Sequence, residues 1–144
     1  MNARHKPLNR KRMEPNYRRI YQRLKRRFPV VLDMVHTPGV LKSYDDIPLM
    51  FDKFCRLAHM NHKQVIEDHY KRLIYIAAIT RMEDPHYFED DNPIRKGMAT
   101  EIGKVLGCHQ TVVSHALRTV KNYLRIYPQF RDELDYFYGK MTEQ

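Results

Sequence analysis

The sequence predicts an all-α fold of about six helices, and three observations carry that prediction. Apolar residues recur at steps of three and four along most of the chain, while alternating apolar and polar runs are missing. No Asn-Gly or Asp-Gly hairpin turn occurs. Three of the five glycines fall between positions 97 and 107, where they punctuate a pair of helices. With 144 residues, 42% hydrophobic and 30% charged, the chain has an ordinary globular balance and room for one modest core.

Residues 1–16 have no apolar periodicity and two prolines, so they read as a basic arm carrying Arg4, Lys6, Arg10, Lys11 and Arg12. From Tyr17 the pattern turns helical: Tyr17, Ile20, Tyr21, Leu24 and Phe28 share one face, with Arg18, Arg19, Arg23 and Arg26 off it, and Pro29 ends the run. Val30 to Val35 is a short apolar stretch closed by the turn Thr37-Pro38-Gly39. Ser43 to Asp46 resembles a helix start with acid in its first turn, where Pro48 is tolerable. Ile47, Met50, Phe51, Phe54, Leu57 and Ala58 follow at helical spacing, and that helix is expected to end near Met60-Asn61.

The next helix is predicted from about His62 to Met82 as the central, most buried one, with His69 in its apolar face. Together these elements make an N-terminal helical layer at 17–82. Residues 83–92 form an acidic connector with five acids and no bases. Asp91-Asn92-Pro93 then offers a cap and a proline for the first helical position, opening a module at 93–138. After Pro128, Phe130, Leu134, Phe137 and Tyr138 form a last helical face, suited to sealing the core or to forming a homodimer seam.

Charge is distributed very unevenly. Residues 1–27 hold eleven Lys and Arg against one acid, Glu14, whereas the other 117 residues hold 15 bases and 16 acids. A polycationic front end on a neutral body points to a polyanion as partner. Other classes fall away. The longest stretch free of Asp, Glu, Lys, Arg and His is Leu73 to Thr80, eight residues, far short of a membrane span. No apolar run follows the basic N-terminus, so no secretory signal is indicated, and a cytoplasmic location is expected. Cys55 and Cys108 make no Cys-x-x-Cys pair, and no glycine-rich nucleotide loop occurs.

Residues 99–118, ATEIGKVLGCHQTVVSHALR, satisfy the packing constraints of a helix-turn-helix. Counting from Ala99, apolar Ile102 and Leu106 stand at positions four and eight. Small Gly103 stands at position five, where the partner passes close, and Gly107 stands at position nine, where the backbone turns left-handed. Cys108, β-branched Val113 and then Ala116 with Leu117 complete the pattern. A second helix starting at His109 or Gln110 and running to about Tyr127 would offer His109, Gln110, Thr111, Ser114, His115 and Arg118 to a major groove. Glutamine can pair with adenine and arginine with guanine. Arg95, Lys96, Lys104, Lys121 and Arg125 suit phosphate contacts, and the arm suits a minor groove or the backbone.

The segment also resembles the C-terminal DNA-binding domain of the bacterial replication initiator DnaA. The resemblance rests on Glu101-Ile102-Gly103, Thr111, Val113, His115 and Ala116, with His109 and Gln110 standing where that family has Asp and His. It covers about 25 to 30 residues and leaves out the ATPase portion altogether. It implies a Trp-repressor-like DNA-binding domain.

The functional expectation is a sequence-specific binder of double-stranded DNA, either a transcriptional regulator or a replication or mobile-element accessory factor. Two alternatives stay open: an oligomeric DNA-packaging subunit of the small-terminase type, and a basic RNA-binding protein. Cys55, His59 and His62 have a spacing that would share one side of a continuous helix, but no acidic ligand accompanies them, so no metal is expected. The acidic clusters Asp45-Asp46 and Glu89-Asp90-Asp91 are explained by helix capping and a solvated loop. No catalytic residue, cofactor or small-molecule ligand is indicated.

Overall fold

A computed structural model describes residues 16–28, 39–89 and 93–143. The arm residues Arg4, Lys6, Arg10, Lys11 and Arg12, the run Val30–Val35 and the pair Asp91-Asn92 lie outside the described residues. Seven helices and no strand occur among those described: α1 Tyr17–Arg27, α2 Asp46–Ala58, α3 His62–Glu67, α4 His69–Glu83, α5 Met98–Leu106, α6 Gln110–Ile126 and α7 Pro128–Thr142. None is long and apolar enough to cross a membrane.

The chain divides into two units, Met1–His36 and Thr37–Gln144. Helix α1 lies in the first unit, and α2 to α7 lie in the second. Its first turn is closed by Asn16, whose side chain accepts from the Arg19 N–H at 3.0 Å. Lys25, Arg26 and Arg27 occupy its last turn, where cations complement the helix dipole. Every residue of α1 is exposed.

In the second unit α4 is the centre, as its sequence predicts. Leu73 to Thr80 are all buried, and the helix packs against α2, α3, α6 and α7. A helix apolar all round has no solvent face, so neighbours must cover every side. Two side-chain hydroxyls lie in that stretch, and both are satisfied; that of Thr80 donates to the Ile76 carbonyl at 2.7 Å. Tyr75 is fully buried between Phe51 and Phe54, and its hydroxyl donates to the Ile47 carbonyl at 3.1 Å. Helix α7 lays Phe130, Leu134, Phe137 and Met141 into the same core, so its apolar face seals the fold. The Lys53 ammonium caps the far end of α7 by donating to the carbonyls of Met141 and Glu143, both at 3.0 Å.

Three local expectations are corrected. The helix predicted from His62 to Met82 is two helices, because Asp68 adopts extended backbone and its carboxylate accepts from the Lys71 N–H at 3.0 Å. Aspartate there competes with helix continuation, and the Arg72 guanidinium spans the break by donating to the Ile66 carbonyl at 2.7 Å. The break turns His69 out, so it is exposed instead of buried. Helix α2 stops at Ala58, since His59 takes a left-handed conformation at φ 57° and Met60 N–H reaches back to the Cys55 carbonyl. Asn61 then caps α3 in a reciprocal box with Gln64.

The third correction concerns the start of the C-terminal module. No helix begins at Pro93; α5 begins at Met98 after Gly97, whose φ is 89°. The chain before it is held by side chains, with the Tyr44 hydroxyl donating to the Lys96 carbonyl at 2.6 Å and Arg95 paired to Glu83 at 3.0 Å. Within the connector Tyr87 is buried and Phe88 packs beside the core, while Glu89 is exposed.

Burial raises the acid groups of this core above their ordinary values: the Tyr75 phenol far upward, and the Cys55 thiol with help from the Asp52 carboxylate. The neutral form is favoured in the folded state, so the unfolded chain releases these protons first. Stability is thus fully present below pH 9 and falls as pH rises through the ordinary cysteine and tyrosine values of 9.0 and 10.0. Tyr75 alone should impose a slope of about 1.4 kcal/mol per pH unit above 10. Urea midpoints measured from pH 8 to 11 should decline accordingly, with no tyrosinate absorbance from Tyr75 before unfolding. A constant midpoint would show that this ring is solvated.

Candidate nucleic-acid interface

Helices α5 and α6 are joined by three residues, Gly107, Cys108 and His109. Gly107 ends α5 with φ 70°, a conformation glycine adopts without a Cβ penalty. The Cys108 N–H then donates to the Gly103 carbonyl at 2.9 Å. A Cβ built on Gly103 would lie 2.5 Å from the Cys108 carbonyl oxygen and 3.6 Å from the Gln110 nitrogen. The close approach at position 103 is therefore made by turn backbone, not by the body of the second helix. Ile102, Leu106 and Val113 are buried behind this turn, and Ala116 is half-buried against the core.

Helix α6 buries Val113, Leu117 and Val120, which fixes what its other side must show. At 100° per residue the opposite direction is occupied by Thr111, His115, Arg118, Asn122 and Arg125, and all five are exposed. Gln110 is exposed and Ser114 and Lys121 are half-exposed along one flank, with Val112 exposed at 44% on the other. The edge expected to face a groove is thus on the surface. Sequence periodicity did not single out Val112 and Asn122.

Comparison of the chain with protein-family models, with curated proteins and with solved structures found no match.

Several of the candidate side chains have partners already. His109 is the N-cap of α6: its Nδ1 accepts from the Thr111 N–H at 3.2 Å, and the Thr111 hydroxyl lies 3.0 Å away. This assigns His109 first to holding the helix start, with Nε2 left as the ring's other polar atom. The Gln110 Oε1 accepts from the Thr100 hydroxyl at 2.7 Å. His115 and Arg118 make no side-chain hydrogen bond or ion pair among the described residues. Of the phosphate candidates, Lys104 pairs with Glu101 at 3.1 Å and Arg95 with Glu83, both cations being largely exposed. Their carboxylate partners are only 30% exposed at Glu101 and 15% at Glu83, so drawing either cation away to a phosphate costs more than it would for a fully exposed pair. Lys121 lies 4.8 Å over the Tyr87 ring, tying the connector to α6, and Arg125 donates to Asn122 at 3.2 Å. Lys96 is exposed.

Charge marks the same region. No acid occurs between Glu101 and Asp132, an interval that carries Lys104, Arg118, Lys121, Arg125 and Arg131. Among the described residues no group of three His, Cys, Asp or Glu side chains is placed to hold a metal ion, and His62 is paired with Asp52 at 2.6 Å.

Proposed function

We propose that this protein binds double-stranded DNA sequence-specifically, with α5 and α6 acting as a helix-turn-helix and α6 as its recognition helix. The observation that carries this is the exposed stripe Thr111, His115, Arg118, Asn122 and Arg125, polar and cationic, on a helix whose other side is buried. Such a helix is a rigid platform for side chains that read base edges, and the acid-free interval around it lowers the cost of approaching phosphates. The polycationic segment 1–27 adds sequence-independent attraction. The resemblance of residues 101–116 to the DnaA C-terminal domain supports the same reading, and the process proposed for it is replication, mobile-element function or transcription regulation.

Titration of a fluorescent duplex library at varied salt tests this. With roughly six to ten phosphates neutralised, log K should fall with log salt at a slope of about −5 to −9. Gln110→Ala and Arg118→Ala should flatten preference among sequences, at about 1–3 kcal/mol per lost base contact. Deleting residues 2–12 should instead weaken binding to all duplexes alike. Salt-insensitive binding, or equal affinity for structured RNA, would overturn the proposal.

A further inference from the structure

On the footing that α6 enters duplex DNA, we infer that Thr100 is a specificity-positioning residue that sets which base Gln110 reads. A free glutamine carboxamide is ambidextrous. Its oxygen accepts, its nitrogen donates, and the two together match the N6 amino group and N7 of adenine. Gln110 is not free in this sense, because the Thr100 hydroxyl donates to Oε1 at 2.7 Å. Both residues are exposed, Thr100 on α5 and Gln110 at the first position of α6, so the bond spans the two helices at the mouth of the candidate interface.

The bond turns the oxygen end of the carboxamide toward α5 and leaves the NH2 end for a base. A donor-first side chain matches guanine, whose N7 and O6 are both acceptors in the major groove. It matches adenine less well, because only N7 can accept there and the adenine amino group would meet the NH2 group, donor against donor. Thr100 would contact no base itself. It acts by holding the plane of its neighbour, and the cost of ordering that flexible side chain is met before DNA arrives.

Selection from a random duplex library, followed by sequencing, tests this with the full chain. The base pair read by Gln110 is located as the one whose preference Gln110→Ala alone erases. At that pair the wild type should prefer guanine over adenine by about tenfold. Thr100→Val keeps the shape and removes the hydroxyl, and should bring the ratio to about one or reverse it, with affinity for non-specific duplex unchanged. Thr100→Ser restores the hydroxyl and should restore guanine. A helix-stabilising role alone would move affinity for every sequence equally and leave the ratio untouched. Adenine preference in the wild type, or the same preference in Thr100→Val, would overturn the inference while leaving duplex binding intact. A wild type that selects no sequence would remove the duplex-reading proposal and this one with it. Circular dichroism of each variant confirms folding, which an exposed Thr→Val or Thr→Ser change should preserve.

Discussion

Gly103→Ala is expected to destabilise the protein by about 2 kcal/mol and to weaken duplex binding at least tenfold. In an unconstrained helix the same change would stabilise by about 1 kcal/mol, because glycine has more backbone freedom to lose on folding. Here the added Cβ meets the Cys108 carbonyl oxygen at 2.5 Å, and that oxygen belongs to backbone with no rotamer to escape into. Relief requires the turn to move away from α5. Because His109 caps α6 directly after Cys108, that movement displaces the start of the helix proposed to read DNA. Gly139→Ala in α7 is the control, since a Cβ there meets nothing within 4 Å. It should raise stability by about 0.5–1 kcal/mol without touching DNA affinity. Thermal melts of the two variants should move in opposite directions. A more stable Gly103→Ala would show that the turn does not press on this residue.

Phe54→Ala should cost about 3–5 kcal/mol, a large share of the roughly 5–15 kcal/mol that folded domains possess. Phe54 is fully buried, and its ring centroid lies 4.6 Å from that of Phe137 and 5.6 Å from that of Tyr75. Removing it opens a void where α2, α4 and α7 meet, and that void is walled by Tyr75, whose hydroxyl is anchored to Ile47. Tyr75 cannot shift far into the space without straining that hydrogen bond. Tyr136→Ala, on the exposed side of α7 at 54%, should change stability by no more than about 0.5 kcal/mol. Urea unfolding separates these outcomes. A loss below about 1 kcal/mol for Phe54→Ala would place the three-helix junction elsewhere.

The helices were legible in the sequence wherever side-chain spacing alone decides which face is apolar. The run Leu73 to Thr80 predicted the most buried helix because no polar side remains to meet water. The ends of α5 and α6 followed from Gly107 and from Pro128, which begins α7, since each acts on its own local backbone. Asp68 was less legible. Its carboxylate competes with the helix for a backbone N–H, and an apolar count is blind to that competition. The true start of α5 was hidden for another reason: Tyr44, Glu83 and Gly97 set it together, and two of these are distant in sequence.

The candidate interface divides along the same line. Residues 109–118 were recognisable as a surface edge because Val113 and Leu117 had to point inward. Their present engagements were not recognisable. His109 as a cap and Gln110 held by Thr100 depend on atoms brought within hydrogen-bond reach only when α5 and α6 pack.

What the amino-acid order determined by itself was local: helical periodicity, two glycines at the places where a turn and a close approach need them, and a cationic front end on a neutral body. Such features depend on neighbours a few residues away, so they survive any rearrangement of the whole. Only the tertiary structure decided that α1 lies in the first unit and α2 to α7 in the second, that Cys108 presses on Gly103, and that one hydroxyl orients Gln110. Each of these is a matter of distance between groups far apart along the chain or across a turn, and distance is a property of packing.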